Sequence, residues 1–504
     1  MLKSLNYKVF LPPFLFLMLT VIYSLVDNES FLITVKAINT WILDNFGWLF
    51  SWSTFLFLLI LIVVYFSPLG NKRIGGEDAT PLLSKWRWFA ITLCTTIATG
   101  ILFWGTAEPL YHVQTPPSGL GIDANSVDAT HFSMSTMFMH WTITPYGIYT
   151  LTGLLFALAY YNYKQPFSLG SLLYPLIGNK AHGNFGAIID IVCLYGLVAG
   201  MAASLGTGML TLMGGLDAIL GIPKSDLVLG LVGVAVVLTF ITSAASGLMQ
   251  GIRILSDLNI KAFIGLAIFV FITGPTLYIL EIGWSGLVDY LYNFIPRSID
   301  WNSGLDTDWT NAWTIFYWAN WFAWAPIAAL FLGRLAKGYT VRDYIHYNLI
   351  YPSIFGGLWM CIFSGTALYI DATQSGMLYE VLNNEGAENV IFNIINFLPL
   401  NEIVSITFLI IVFISYVTAA DSNTSAMSGI STIGISPDNP EAPLVIKVIW
   451  GGLIGLISWI MVTYVGLDGI RIISVLGGFP ALFLLIVVGI GFVILLIKQK
   501  EFFT

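Results

Sequence analysis

Charged residues are scarce in this chain of 504 residues, because Asp, Glu, Lys and Arg together make up only 10% of it. Soluble domains usually carry about 25%. The hydrophobic fraction is 57% and the mean hydropathy is +0.83. Water therefore cannot be the main solvent of the folded chain, and we expect no nucleic-acid partner. The composition predicts an all-α polytopic membrane protein embedded in a lipid bilayer.

Cysteine and the common catalytic motifs are also scarce. The three cysteines, Cys94, Cys193 and Cys361, lie in apolar segments without metal-ligand spacing, which is typical of small buried hydrophobic residues. The sequence contains no P-loop, dinucleotide fingerprint, Ser/His/Asp arrangement, paired carboxylates or H-E-x-x-H motif. We therefore expect neither an enzyme nor an organic cofactor, and uphill transport would draw on an ion or solute gradient.

Long apolar runs are abundant instead. A hydrocarbon core of about 30 Å requires roughly 20 apolar residues per helix. Twelve segments meet this requirement, with boundaries that are soft by several residues: 9–26, 48–67, 88–110, 133–162, 185–216, 226–248, 262–283, 309–333, 347–371, 402–430, 443–465 and 472–497. About seven residues precede the first span and about seven follow the last, so we expect no soluble domain.

The distribution of positive charge predicts the orientation. If both termini are inside, only Lys36, Lys224, Arg297 and Arg471 of the 20 Lys and Arg residues fall outside. This bias indicates a multi-pass protein of the cell inner (plasma) membrane with both termini in the cytoplasm. The first span lacks a small-residue cleavage site and is followed by eleven more, so it is expected to be retained.

Aromatic residues are concentrated in the eighth span. Seven of the twelve residues from Trp313 to Trp324 are aromatic, and Tyr317, Trp321 and Trp324 share one helical face. Aromatic faces attract a cation that has no hydrogen-bond donors, which indicates a quaternary ammonium solute. The alternative is a core or lipid-facing aromatic stripe, although aromatic belts usually lie at the two water interfaces.

Two spans carry helix-breaking residues at corresponding places. The third span contains Gly100, Gly105 and Pro109, and the eighth, five spans later, contains Pro326 and Gly333. Paired interruptions are typical of transporters with inverted repeats and a site at mid-membrane, whereas helix packing through small residues is the alternative. The predicted regions are 1–87 (two N-terminal helices and a cytoplasmic loop), 88–283 (first repeat, helices 3–7), 284–308 (an outer amphipathic helix) and 309–504 (second repeat, helices 8–12).

The motifs resemble those of the betaine/choline/carnitine transporter (BCCT) family. The run Trp313-Thr-Ile-Phe-Tyr-Trp-Ala-x-Trp-x-x-Trp324, followed by Phe331-Leu-Gly-Arg334-x-x-Lys-Gly338, is similar to the family's span-eight signature. Gly105-Thr-Ala-Glu-Pro109, the segment from His140-Trp141 to Tyr149, and Val417-Thr-Ala-Ala-Asp-Ser422 match further family segments in order. The resemblance implies a LeuT-type 5+5 inverted repeat on helices 3–12 plus two N-terminal helices, a homotrimer, and alternating access.

The resemblance also implies a substrate-binding aromatic box. Its members here are Trp141, Tyr146 and Tyr149 from span four, and Trp318, Asn320, Trp321 and Trp324 from span eight. Asn320 stands where the family has a tryptophan. Its amide would enlarge the cavity and offer a donor to a polar group of the solute. The alternative is that Asn320 satisfies unwound backbone nearby.

Ion coupling is predicted less directly. The family's sodium site maps onto the carbonyls around Cys94 and Ile97 and onto the hydroxyl of Thr418, which makes Na+ the candidate coupling ion. The partner hydroxyl is absent because Ala419 follows Thr418, and a second family site maps onto Leu197 and Met201, which cannot bind sodium. Asn259 stands where sodium-independent antiporters carry a positive residue. Sodium symport is therefore favoured, with proton coupling or exchange as alternatives.

These observations together predict a secondary active transporter that imports betaine, choline, carnitine or a sulfonium analogue by ion-coupled symport. The alternatives are a sodium-independent solute/solute antiporter, a channel or membrane sensor, and an intramembrane enzyme. Broken helices favour the transporter, because a conducting pore exposes polar or charged rings. The intramembrane ionisable residues Glu108, Asp190, Asp421 and His140 are expected to have structural roles, although such residues often mark function.

Overall fold

The computed structural model describes residues 4–96, 100–245, 248–436, 439 and 441–498. Within these ranges the regular structure is helical, and two isolated bridges, Leu5 with Thr432 and Arg73 with Thr340, are the only β-pairings. The first ten helices are α1 (Tyr7–Val26), α2 (Asn28–Phe66), α3 (Lys85–Thr96), α4 (Gly100–Gln114), α5 (Val127–Trp141), α6 (Ile143–Ala157), α7 (Tyr174–Ile177), α8 (Asn184–Leu220), α9 (Asp226–Ala245) and α10 (Leu248–Thr273).

The remaining helices are α11 (Thr276–Tyr292), α12 (Phe294–Ile299), α13 (Thr307–Thr310), α14 (Phe316–Leu335), α15 (Val341–Ile345), α16 (Tyr351–Thr373), α17 (Met377–Asn384), α18 (Ala387–Ile395), α19 (Asn401–Ile430), α20 (Leu444–Val465) and α21 (Leu467–Ile497). One turn of π-helix, Asn311–Ile315, joins α13 to α14. The prediction of an all-α polytopic membrane protein is confirmed. The described residues contain ten helices long and apolar enough to span, or twelve if each of two bent pairs forms one span.

The two bent pairs coincide with the predicted interruptions. The axes of Lys85–Thr96 and Gly100–Gln114 differ by 55°, and those of Thr307–Pro326 and Ala328–Leu335 differ by 53°. Proline explains part of the second break, because Pro326 cannot donate a hydrogen bond to the carbonyl of Phe322, four residues earlier. The structure thus has broken helices in the third and eighth spans, five spans apart, as the predicted 5+5 repeat requires.

Helix α2 is much longer than the predicted span 48–67. It begins at Asn28 and has 39 residues, or about 58 Å at 1.5 Å per residue. Its first half alternates polar residues with the buried residues Phe31, Val35 and Ile42. This half of the helix packs one face on the protein, but polar residues on its other faces keep it from having the long apolar run that marks a span in the sequence.

The outer region also differs from the predicted bounds. Gly274-Pro275 ends α10 at Thr273, because proline lacks an amide donor, and α11 then runs to Tyr292. The predicted span 262–283 is therefore divided between two helices, and the predicted surface helix 284–308 falls on α11, α12 and a loop. Two short helices that were not predicted, α17 and α18, follow α16 and are too short to span a bilayer.

Helices α14 and α21 approach each other closely. A Cβ atom added to Gly478 of α21 would overlap the backbone carbonyl of Ala319 in α14. Glycine is thus required at this crossing, where two backbones meet without an intervening side chain. The contact fixes α14, and with it the aromatic run, against α21.

We expect Gly478→Val to destabilise the folded protein by about 1–3 kcal/mol, because the added side chain must push α14 and α21 apart. The melting temperature of purified protein in detergent measures this effect. Gly452→Val is the matched control, since a Cβ at Gly452 meets no atom within 4 Å. Equal melting temperatures for the two variants would contradict the predicted crossing.

Candidate functional site

The position of Trp141 is set by a break between α5 and α6. Thr142 adopts φ −121° and ψ −116°, which ends α5. Pro145 lies four residues after Trp141 and cannot donate to its carbonyl, so the helix cannot continue through this point. The Thr142 backbone N–H and hydroxyl both donate to the carbonyl of Phe138, at 3.1 Å and 2.5 Å. The break brings the indole of Trp141 toward α14.

Four predicted box residues come together around Trp321. Its ring centroid lies 5.7 Å from that of Trp141, 5.3 Å from that of Tyr149 and 6.1 Å from that of Tyr146. The contacts with Trp141 and Tyr149 are edge to face, and all four side chains are buried. We call this group the aromatic cage: Trp141, Tyr146, Tyr149 and Trp321. Because the rings touch, a ligand between them must open ring–ring contacts.

Each of the other three predicted box residues contacts a different helix. The ring of Trp318 packs edge to face on His140 at 5.9 Å. Trp324 faces α8, where a Cβ added to Gly200 would lie 3.1 Å from its Cδ1 atom. Asn320 is half-buried, with its Oδ1 atom 3.1 Å from the hydroxyl of Ser474 in α21. Asn320 thus contacts a side chain of α21.

A buried carboxylate connects the cage to neighbouring helices. Oε2 of Glu108 accepts hydrogen bonds from Trp141 Nε1 at 2.8 Å and from the Tyr317 hydroxyl at 2.5 Å. Oε1 lies 2.7 Å from Nδ1 of His140 and 3.1 Å from Nε2 of His112. The sequence places Glu108 near a span end, but the structure places it directly behind the cage. The i, i+4 spacing of Glu108 and His112 was the signal available in the sequence.

The N-terminal half of the aromatic run already contacts a cation of the protein, the guanidinium group of Arg471. The guanidinium carbon of Arg471 lies 4.5 Å from the ring centroid of Trp313 and 5.8 Å from those of Trp104 and Phe316. These are cation–π distances. The aromatic residues at the Trp313 end therefore stabilise α21, whereas the cage at Trp321 has no such contact with Arg471 among the described residues.

Two of the three predicted ion-site residues, Cys94 and Thr418, lie among the described residues, and ion binding there stays a prediction. Cys94 is buried in α3, where its sulfur lies 3.6 Å from the carbonyl of Ser256 and 3.7 Å from Nδ2 of Asn259. The Thr418 hydroxyl donates within α19, to the carbonyls of Ile414 at 3.0 Å or Ser415 at 2.9 Å, and retains lone pairs for an ion. Ile97 lies outside the described residues. The predicted set is therefore represented by Cys94 and Thr418.

Asn259 bridges the two helices of this ion site. Its Nδ2 atom donates to the Ser415 hydroxyl of α19 at 2.9 Å and lies beside Cys94 of α3. Its Oδ1 atom is buried, and among the described residues it has no hydrogen-bond partner. Oxygen atoms of this kind are the ligands that hard cations prefer. Leu197 and Met201, at the second family site, are buried apolar side chains.

Broken spans five apart, with an aromatic cage between the helices beside the break, define a polytopic membrane transporter. The family model described as "BCCT, betaine/carnitine/choline family transporter" matches residues 8–501. The chain belongs to this family, and the resemblance of its motifs is confirmed. Its relatives are transporters, which confirms that it is not an enzyme.

Curated relatives extend over nearly the whole chain. It is 29% identical to an ectoine/hydroxyectoine transporter of Virgibacillus pantothenticus, over 99% of this chain and 98% of the relative. Identity is also 29% to a glycine betaine transporter of Bacillus subtilis (91% and 88% covered) and to a high-affinity choline transport protein of Escherichia coli (90% and 66% covered). Among solved structures, a Na+-coupled sialic acid symporter matches with a TM-score of 0.44 and 13% identity, covering 88% of this chain and 82% of that one.

Proposed function

We propose that this protein is a secondary active transporter that imports a quaternary ammonium or related zwitterionic solute through the aromatic cage. The candidate solutes are betaine, choline, carnitine and sulfonium analogues. The observation that carries the proposal is the convergence of Trp141, Tyr146 and Tyr149 on Trp321. The names of the relatives, which include betaine, choline and ectoine, support the same class of solute.

The chemistry of the cage suits such a solute. A trimethylammonium group has no N–H donor, so it cannot form a hydrogen bond to a buried acceptor, whereas ring faces stabilise it through their quadrupoles. Ring–ring contacts must open to admit it, and they close again when it leaves. Opening and closing between α6 and α14 is the local step that alternating access requires. We place both termini in the cytoplasm and propose a homotrimer in the plasma membrane.

Sodium is the proposed coupling ion, with exchange or proton coupling as the alternative. Thr418 supplies one hydroxyl oxygen, and the carbonyls of α3 near Cys94 would supply further ligands. The unpartnered Oδ1 of Asn259, between α3 and α19, supports a cation at this crossing. The alternative is favoured by Ala419, which provides no hydroxyl where the family pattern has one.

We expect Trp321→Leu to weaken binding of the preferred solute by roughly thirtyfold, since a desolvated cation–π contact is worth about 2 kcal/mol or more. Leucine keeps apolar volume but removes the quadrupole. Binding of labelled glycine betaine and choline to purified protein measures the loss. Trp48→Leu, at a tryptophan of α2 that is 62% exposed, is the matched control and should bind normally. Wild-type affinity in Trp321→Leu would reject the cage as the site.

Asn320 provides a test of selectivity. If its amide reaches the solute, Asn320→Ala should cost about 1–3 kcal/mol of affinity for solutes that bond to it. Asn320→Trp should shift preference toward a compact trimethylammonium such as glycine betaine. Competition among glycine betaine, choline, carnitine, dimethylsulfoniopropionate and trimethylamine N-oxide gives the rank order. Ser474→Ala, which removes the contact on Oδ1, is the companion variant. An unchanged rank order in folded Asn320 variants would eliminate this residue from selectivity.

The ion site is tested in proteoliposomes. Thr418→Ala should raise the sodium concentration needed for half-maximal uptake, because it removes an oxygen ligand, and Ala419→Ser should lower it by adding one. Uptake driven by a sodium gradient is compared with uptake in potassium buffer. Transport that is indifferent to this replacement, in wild type and both variants, would reject sodium coupling and favour exchange or proton coupling.

A further inference from the structure

Glu108, His112 and His140 form a cluster of three ionisable side chains with no exposed surface. One carboxylate oxygen of Glu108 and one ring nitrogen of each histidine all lie within 4.8 Å of one another. Four hydrogen-bonding groups converge on the Glu108 carboxylate: the two imidazoles on Oε1, and Trp141 with Tyr317 on Oε2. This number of donors matches the acceptor capacity of an ionised carboxylate.

An ionised Glu108 carboxylate can only accept hydrogen bonds, so it assigns a proton to each imidazole nitrogen that faces it. His140 donates from Nδ1 to Glu108, so that its Nε2 accepts from the Thr314 hydroxyl at 3.1 Å. His112 donates from Nε2 to Glu108, and its Nδ1 is buried with no hydrogen-bond partner among the described residues. With two neutral imidazoles the cluster carries one negative charge. One further proton can be bound at Nδ1 of His112 without breaking any of these bonds.

Other charged groups around the cluster lie farther out or are paired. Arg471 is separated from His112 by Trp313, whose ring lies 4.6 Å from the imidazole. Arg471 pairs with Asp468 at 3.9 Å, Arg297 with Asp289 at 2.6 Å, and Lys224 with Glu388 at 2.7 Å. The elements packed around α4 and α5 also carry the following titratable groups: Tyr111, Asp128, His131, Asp289, Arg297, Asp308, Tyr317, Asp371, Tyr379, Glu380, Glu388, Asp468 and Arg471.

We propose that the Glu108–His112–His140 cluster is a proton-binding site, and that its proton opposes the binding of a cationic solute in the adjacent aromatic cage. The proposal rests on the proposed function of the cage. The proton comes from water when the solute is absent and returns to water when a cationic solute binds. Histidine is the side chain whose unperturbed pKa lies nearest to neutral pH, which makes His112 the group of the cluster that takes up the proton.

The size of the effect follows from the distance between the charges. Trp141 donates to Glu108 from its indole nitrogen and presents its ring to the cage. We therefore take the distance between a bound cation and the carboxylate as on the order of 8 Å. At an effective dielectric constant of about 20, removing one charge at this distance changes the affinity for a cation by roughly tenfold to thirtyfold. A zwitterion feels opposing contributions from its two charges, so its affinity should change by less than about threefold.

Binding of choline, a cation, and of glycine betaine, a zwitterion, is measured between pH 5.5 and 8.5 in wild type, Glu108→Gln and Glu402→Gln. In wild type and in the exposed control Glu402→Gln, choline affinity should fall on acidification and betaine affinity should change little. Glu108→Gln should bind choline weakly at every pH, because it lacks the negative charge of the cluster. Equal pH dependence of the two solutes in wild type would overturn the proposal.

A second measurement needs no solute. When purified protein is titrated in weak buffer from pH 8.5 to 5.5, wild type should take up one proton more than His112→Gln. Glu402→Gln should take up as many protons as wild type, apart from the contribution of its own exposed carboxyl. Equal uptake by wild type and His112→Gln, with both folded by melting temperature, would reject the proton site even if the cage binds solutes. If neither choline nor betaine binds wild type, the proposed cage function fails, and this titration still decides the proton site.

Discussion

The hydrocarbon core of the membrane offers no hydrogen-bond partners, and this constraint governs where the helices can break. The carbonyl of Gly105, which Pro109 cannot serve, accepts instead from the Ser364 hydroxyl of α16 at 2.7 Å. At the break that follows α5, the Thr142 hydroxyl is itself satisfied inside the protein, by the carbonyl of Phe138. Such compensation is available only inside the protein, so the interrupted helices face inward. The aromatic cage forms at this position because Trp141 immediately precedes one of the breaks.

The broken spans and most of the membrane helices could be predicted, because glycine, proline and long apolar runs are local signals. The start of α2 at Asn28 could not, since that half of the helix mixes buried apolar residues with polar ones and has no long apolar run. Helices α17 and α18 were not predicted for a related reason. They have 8 and 9 residues, are buried on one side, and fall below the length that a hydropathy window detects.

The candidate site also has a part that could be predicted from the sequence and a part that could not. The family motifs predicted that Trp141, Tyr146, Tyr149 and Trp321 belong together, and the structure brings their rings into contact. Their binding of a solute stays a prediction. The environment of Glu108 could not be predicted, because its partners lie on other helices. His140 is 32 residues away in the chain and Tyr317 is 209 residues away. Such contacts depend on how α4, α5 and α14 pack, which no local pattern encodes.

The two ends of the aromatic run therefore have different electrostatic surroundings. Arg471 lies over Trp313 at one end and is paired with Asp468, so its charge is balanced within the protein. Trp321 lies at the other end, and the nearest carboxylate is Glu108, bonded to Tyr317 and Trp141 between the two ends. A fixed cation thus stabilises the Trp313 end of the run, while the Trp321 end keeps an aromatic face beside a buried negative charge. This asymmetry supports the proposal that a cationic solute binds at Trp321.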